Sequence, residues 1–403
     1  MKNCINIIGP KIYTEKTTIE KGIISIIDGK ISNITSINDK NNKKTTNNSK
    51  NNLVEQYSFP KDTFIIPGII DIHMHGLYGF DIMDKNEDAL FNICKILPKE
   101  GITSFLATTV TDNNINIEST LKRIKCFKQN EHAGANLLGV NLEGPFISRE
   151  KAGIHNKDLI QNPNIDLIER WQKISGNNIK IVTIAPELKG SIAFIDYLSK
   201  NKIIPSIGHT NCTYLQADNA IKNGALLATH LFNAMSGIHH RHPGAVLSIL
   251  DNNKICAELI VDGYHLCEEI IRFSYKILKK NRIILVSDSI GAKGLQSGLY
   301  NFHGNTVKID GKKAVSREGI LAGSLLYMNE GLKNMKKFTG AKIGELIDIS
   351  SANQARLLNI YDKKGSIAIG KDADLVVLNK EFDVLMTVCM GKVAYINNNV
   401  VSK

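Results

Sequence analysis

Two imidazoles and a carboxylate alternate in the stretch PGIIDIHMHG, residues 67–76: Asp71, His73 and His75. In an extended chain, residues two apart share a face, so the three side chains are expected to point one way. A hydrophobic core has no use for that set, whereas a divalent metal ion does. Further groups of the same kind punctuate the chain: Glu143 in LEGP, His209 in IGHT, His230 in THLF, His265 in DGYH and Asp288 in VSDS. Imidazole nitrogen and carboxylate oxygen suit a divalent transition ion, usually Zn²⁺ or Fe²⁺, held with one position open. An ion so held lowers the pKa of a coordinated water toward roughly 7. A nearby carboxylate, with Asp288 the best-placed candidate, can take the proton and hand it to a leaving amine. The chemistry expected is hydrolysis of an amide or a related C–N bond. Taken singly, each residue also has a plain structural role. A lone His at a strand end is more often a hydrogen-bonded structural group, Glu143 could serve a loop or helix cap, and Asp288 could cap the next helix. The joint pattern is what points to a site.

Those residues need a frame that gathers them, and the rhythm of the chain supplies one. Apolar runs fall at residues 65–75, 104–109, 137–144, 179–185, 204–210, 226–232, 256–262 and 283–288. Amphipathic segments lie between them, among them 86–99, 214–223 and 268–280. Eight β-runs alternating with helices predict an α/β fold, a (β/α)8 TIM barrel, over residues 67–365. Run one ends in His73 and His75, run three in Glu143, run five in His209, run six in His230 and run eight in Asp288. His265 follows run seven by three residues. In such a barrel the reactive groups sit at the carboxyl ends of the strands, so these remote segments are expected to converge on one mouth.

The two chain ends have a different texture. Residues 23–34 read as a hairpin turning at Asp28–Gly29, and 373–378 and 388–396 read as short β-runs. Residues 1–66 and 366–403 are therefore expected to form one small β-sandwich domain. Within it, NDKNNKKTTNNSKNNL at 38–53 has nothing to bury and is expected to be a flexible insert.

Composition excludes several classes. Of 403 residues, 43% are apolar and 22% charged, the balance of an ordinary globular protein. No apolar run reaches transmembrane length, and the first residues lack the pattern of a secretory signal, so a cytoplasmic address and no membrane partner are expected. The seven cysteines are scattered without a CxxC pair, which predicts buried reduced thiols. The formal charge of +11 comes from widely spread lysines with no arginine-rich stripe, which predicts a solvated surface and no nucleic-acid partner. The excess could still attract an anionic substrate.

PGIIDIHMHG resembles the first-strand motif of the amidohydrolase superfamily, and KGSIAIGKDADLVVLN resembles its C-terminal signature. Together, LEGPFIS, IGHTNCTY, THLFNAM, VDGYHL, VSDSIGA and LAGS are similar to the N-acetylglucosamine-6-phosphate deacetylase family, over nearly the whole chain outside the 38–53 insert. The resemblance implies a metal-dependent deacetylase of an amino-sugar phosphate. It assigns Glu143, His209 and His230 to the principal metal and Asp288 to general base and then acid. The presence of both His73 and His75 implies room for a second ion, with Glu143 between the two. His265 is implied to contact the substrate and polarise its acetamide. Asn233 and Ala234 would lie along the sugar, and Leu321, Ala322 and Gly323 would form a backbone contact region. His155 would bind substrate; Ile154 before it replaces a smaller residue and is expected as a backbone contact. Arg241, among His239, His240 and His242, matches a phosphate-gripping arginine that reaches across a homodimer interface. VSDS departs slightly from the usual residues around the aspartate.

Rival readings make different demands. A cyclic-amide hydrolase of the same superfamily carries a lysine that can be carboxylated to bridge its metals, whereas here Glu143 follows the third run. A barrel that has lost catalysis and serves as a scaffold would lack ligands, and none is missing.

Overall fold

The computed structural model describes residues 4–37, 54–86, 88–127 and 134–397. The 38–53 insert lies outside the described residues. Eight parallel strands form one sheet in strict chain order: Ile69–Asp71, Ile102–Thr109, Asn136–Leu142, Ile179–Ile184, Ile204–Ile207, Leu227–Ala228, Cys256–Leu259 and Ile283–Leu285. The sheet curls until its first and last strands meet. His75 N–H donates to the Ser289 carbonyl at 2.7 Å, and Asp288 N–H donates to the His73 carbonyl at 2.9 Å. These bonds close the (β/α)8 barrel at its carboxyl end and seat Asp288 beside the two histidines of strand one.

One apolar cluster draws a residue from every barrel strand, from Ile70 and Leu106 through Leu138, Ile181, Ile204, Leu227 and Cys256 to Ile284. It fills the barrel interior, so polar groups collect above it, at the mouth. Helices wrap the outside. Tyr214–Lys222 begins on a capping box in which the Thr213 side chain meets the Gln216 N–H and the Gln216 side chain answers. Asp88–Ile96 and Glu268–Arg282 stand where helical periodicity places them. No helix among the described residues is long and apolar enough to cross a membrane.

The chain ends build two further sheets, one of four strands and one of six. Ile5, Ile7, Ile24, Ile26 and Ile31 of the first and Ile65, Leu375, Val377, Met386 and Val388 of the second share one buried cluster. Each fully buried isoleucine there contributes about 1.5–3 kcal/mol. The hairpin turns at Asp28–Gly29, both with positive φ (51° and 80°), as a two-residue hairpin turn requires.

Three expectations change. The run at 65–75 is two elements: Thr63–Pro67 pairs with Leu375–Asn379 in the six-stranded sheet, and the barrel strand starts only at Ile69. The change of sheet falls at Pro67–Gly68, which interrupts the apolar run between Ile66 and Ile69. The run at 388–396 is likewise cut, because Met390 and Gly391 turn with φ 48° and 77° between strands Val384–Cys389 and Lys392–Ile396. All seven cysteines are free, but Cys126 and Cys267 are exposed rather than buried. One element was not anticipated: a three-stranded antiparallel sheet, Gly298–Phe302, Asn305–Asp310 and Lys313–Ser316, inserted after barrel strand eight. Its signal was present, as polar alternation punctuated by His303–Gly304 and Asp310–Gly311.

Candidate active site

His73, His75, Glu143, His209, His230 and Asp288 lie one to four positions beyond the ends of their strands, and His265 lies six beyond the end of its own. His209, His230 and Asp288 all have left-handed backbone, with φ of 46°, 30° and 48°. Residues with a Cβ adopt this conformation at a cost, and it persists where the surrounding structure enforces it. Here it breaks the strand and swings each side chain over the mouth.

Glu143 sits at the centre. Its Oε1 is 3.1 Å from His230 Nε2, 3.3 Å from His209 Nε2 and 3.4 Å from His73 Nε2. Its Oε2 is 3.2 Å from His75 Nε2 and 3.5 Å from His155 Nε2. Asp288 Oδ1 adds a second carboxylate, 3.4 Å from His73 Nε2 and 3.3 Å from His75 Nε2. The side chains of all of these groups are almost inaccessible to solvent.

Hydrogen bonds at the outer ring nitrogens settle which inner nitrogens are bare. His209 Nδ1 donates to the Lys151 carbonyl at 2.8 Å, and His230 Nδ1 donates to the Asn233 carbonyl at 3.2 Å. His73 Nδ1 donates to Glu258 at 2.9 Å. A neutral imidazole carries one hydrogen, so Nε2 of each ring presents a lone pair. Three lone pairs and two carboxylates thus face one small space, a donor set that fits a divalent cation. Two such clusters stand out: His73, His75 and Asp288, and Glu143, His155 and His209. The ring of His155 argues against a ligand role there. Its Nδ1 accepts from the Thr111 N–H at 3.1 Å, so its Nε2 carries the hydrogen and is a donor. Burial pulls His155 down to about 4, which keeps it neutral.

Charge in the cluster is mutually dependent. Burial alone would lower His73 and His75, but the surrounding carboxylates outweigh it, holding His73 well above its ordinary value and His75 at about 9. Burial would raise Glu143 and Asp288, but the histidines hold Glu143 well below the carboxylate range and Asp288 at about 2. The carboxylates demand positive charge, whether as protons or as a metal cation.

A cavity of about 360 Å³ opens onto the cluster. Ile154, His155, Asn233, Ala234, His265, Leu321 and Gly323 line it together with His75, Glu143, His209, His230 and Asp288. Ala322 does not; it is fully buried and packs in an apolar cluster with Val110 and Phe302. Asp71 lies below the site rather than in it. Along a strand, two residues of rise carry it roughly 6–7 Å from His73, and it binds Ser287 Oγ at 2.6 Å. Burial raises Asp71 to about 6. Arg241 is exposed, hydrogen-bonded to His240 Nε2 at 2.7 Å, and is not part of the cavity wall.

Several partners went unread in the sequence. Asp262 binds His265 Nδ1 at 2.7 Å and aims that ring. Its i, i+3 spacing in VDGYHL was an available signal. Glu258 was legible as a lone acid inside the apolar run CAELI. His303, Phe302 and Ile320 come from the inserted sheet and its exit, which no barrel pattern foretells.

The amidohydrolase family model matches residues 64–394. N-acetylglucosamine-6-phosphate deacetylase of Bacillus subtilis (strain 168) is 40% identical over 389 residues, spanning 96% of both chains. N-acetylgalactosamine-6-phosphate deacetylase of Escherichia coli O157:H7 is 33% identical, over 82% of this chain and 87% of that one. The crystal structure of N-acetylglucosamine-6-phosphate deacetylase from Thermotoga maritima superposes with a TM-score of 0.83 at 32% identity, covering 96% of this chain and 98% of that one. That of the same-named Pasteurella multocida protein gives 0.88 at 28%, covering 98% and 100%.

Proposed function

The chain belongs to the amidohydrolase family, and from that premise we propose that it hydrolyses the acetamide of N-acetylglucosamine 6-phosphate to glucosamine 6-phosphate and acetate. The observation that carries the reading is the convergence of bare imidazole nitrogens from strands one, five and six on Glu143 and Asp288. We assign Glu143, His209 and His230 to the principal ion, and His73, His75 and Asp288 to a second. The mixed nitrogen and oxygen set suits Zn²⁺ or Fe²⁺. When bound, the cation supplies an activated water and polarises the acyl oxygen.

The remaining work falls to the chain itself. Asp288 takes the proton of the attacking water. As the C–N bond breaks, it returns that proton to the departing sugar nitrogen, so the acyl carbon gains oxygen and the amine gains hydrogen. His265, whose ring Asp262 fixes through Nδ1, lines the cavity and contacts the acyl group of the substrate. His155 offers its Nε2–H to the substrate, since the Thr111 N–H occupies its Nδ1. Val110, Ile290 and Phe302, with Ile154, Ile320 and Leu321, form the apolar part of the wall and limit competing water.

The phosphate needs a cation, and no lysine or arginine lines the cavity among the described residues. A second copy of the chain would supply Arg241 across a homodimer interface, where its fork suits a phosphate dianion. A dianionic sugar phosphate does not cross membranes unaided, which favours a cytoplasmic address. The test is acetate release from N-acetylglucosamine 6-phosphate, N-acetylgalactosamine 6-phosphate and unphosphorylated N-acetylglucosamine in parallel. The first should give the highest kcat/KM. Preference for the galacto epimer would reassign the substrate, and preference for the unphosphorylated sugar would remove the phosphate site.

A further inference from the structure

Barrel strand seven, Cys256–Leu259, sends no side chain into the cavity. It nevertheless carries Glu258, which is fully buried. A carboxylate in an apolar strand is costly unless it is well partnered. Both of its partners belong to the site. His73 Nδ1 lies 2.9 Å from Oε2, and the backbone N–H of His230 donates to that same oxygen at 3.0 Å. The other oxygen, Oε1, has no hydrogen-bond partner among the described residues. One buried oxygen atom therefore ties a ring from strand one to the left-handed backbone that presents a ring from strand six.

We propose that Glu258 is a positioning residue of the metal site: it selects the His73 tautomer whose Nε2 is bare, strengthens that nitrogen as a donor, and pins His230 beside it. The proposal rests on the metal-site reading above. The physics is that of a carboxylate behind a ligating imidazole, which fixes the ring's orientation and raises its basicity. Geometry assigns this role to Glu258 because its 2.9 Å bond to Nδ1 is the shortest polar contact of the His73 ring, whereas Nε2 has no hydrogen-bond partner and meets Glu143 and Asp288 only at 3.4 Å. The acid also links two parts of the cluster, since His73 Nε2 faces both Asp288 and Glu143 at 3.4 Å, while His230 Nε2 lies 3.1 Å from Glu143 and 3.0 Å from His209.

The experiment titrates chelator-stripped, full-length protein with Zn²⁺ against a competing chelator. The variants are Glu258→Gln, Glu258→Leu, His73→Asn and the double variant Glu258→Gln/His73→Asn. Glu258→Leu is expected to weaken Zn²⁺ binding about 10–100-fold. Glu258→Gln should fall between Leu and the parent, because its amide oxygen still accepts both bonds but without the charge. In the His73→Asn background, Glu258→Gln should cost nothing further, since residues acting through one another do not add. Thermal midpoints of the stripped variants verify folding, and the near-isosteric Gln variant carries the test if Leu does not fold. Parent-like Zn²⁺ affinity in Glu258→Gln, or losses that add to those of His73→Asn, overturns the proposal alone. A parent protein that takes up no Zn²⁺ overturns the metal reading itself, and this proposal with it.

Discussion

His209 and His230 hold their Nε2 atoms 3.0 Å apart, and each ring has its hydrogen on the opposite nitrogen. Two lone pairs at that distance repel unless a proton or a metal cation stands between them, and the neighbouring Glu143 carboxylate favours either. Replacing His230 by Asn should therefore lower bound metal and cut turnover by orders of magnitude, with the far-ultraviolet circular dichroism unchanged. Near-parental turnover in His230→Asn would remove the residue from the site.

Asp288 faces His73 and His75 through its carboxylate and closes the barrel through its own N–H, so its side chain and its backbone have separable roles. Asp288→Asn keeps the backbone bond and the volume but cannot shuttle a proton. We expect kcat to fall about 10²–10⁴-fold and the thermal midpoint to move little. A kcat within a few-fold of the parent would assign the proton transfer elsewhere.

Arg241 sits in an exposed loop, outside the cavity of its own chain. Arg241→Ala should raise KM for the phosphorylated sugar far more than for unphosphorylated N-acetylglucosamine. Equal effects on both sugars would disconnect Arg241 from the phosphate. Sedimentation velocity on the same samples checks that the parent is a dimer.

Protons and metal compete for the same charge balance, which sets a pH signature in the chelated protein. His75 is raised in the folded state to about 9, from an ordinary value of 6.5. Its contribution to stability is therefore complete below pH ~6.5 and is lost as pH climbs toward ~9, at up to about 1.4 kcal/mol per pH unit per group. Asp288, depressed to about 2, contributes above its ordinary value of 3.8 and loses that contribution only as pH falls toward ~2. Thermal midpoints of chelated protein should decline from pH 6.5 to 9, and metal-loaded protein should decline less. Parallel curves would contradict the shared charge balance.

Much of this was legible in the chain because apolar runs and the polar residues ending them are local signals. Glu143, His209, His230 and Asp288 each close a run, and the barrel turns that linear fact into proximity. Illegible parts depend on where a run changes partner. Ile65 and Ile70 read as one strand, yet they serve different sheets. Asp71 shares the face of His73 but sits one pleat repeat deeper, where it binds Ser287 instead of facing the mouth. The buried pair of Lys293 and Glu100, 2.6 Å apart, is separated by most of the barrel in sequence and left no local trace.

The most direct measurement is acetate release from N-acetylglucosamine 6-phosphate by one preparation assayed as purified, after chelation, and after Zn²⁺ or Fe²⁺ is added back. Activity should vanish on chelation and return with about one or two ions bound per chain. Undiminished release from protein shown to be free of metal would contradict the account, as would a fully loaded sample that leaves the sugar phosphate intact.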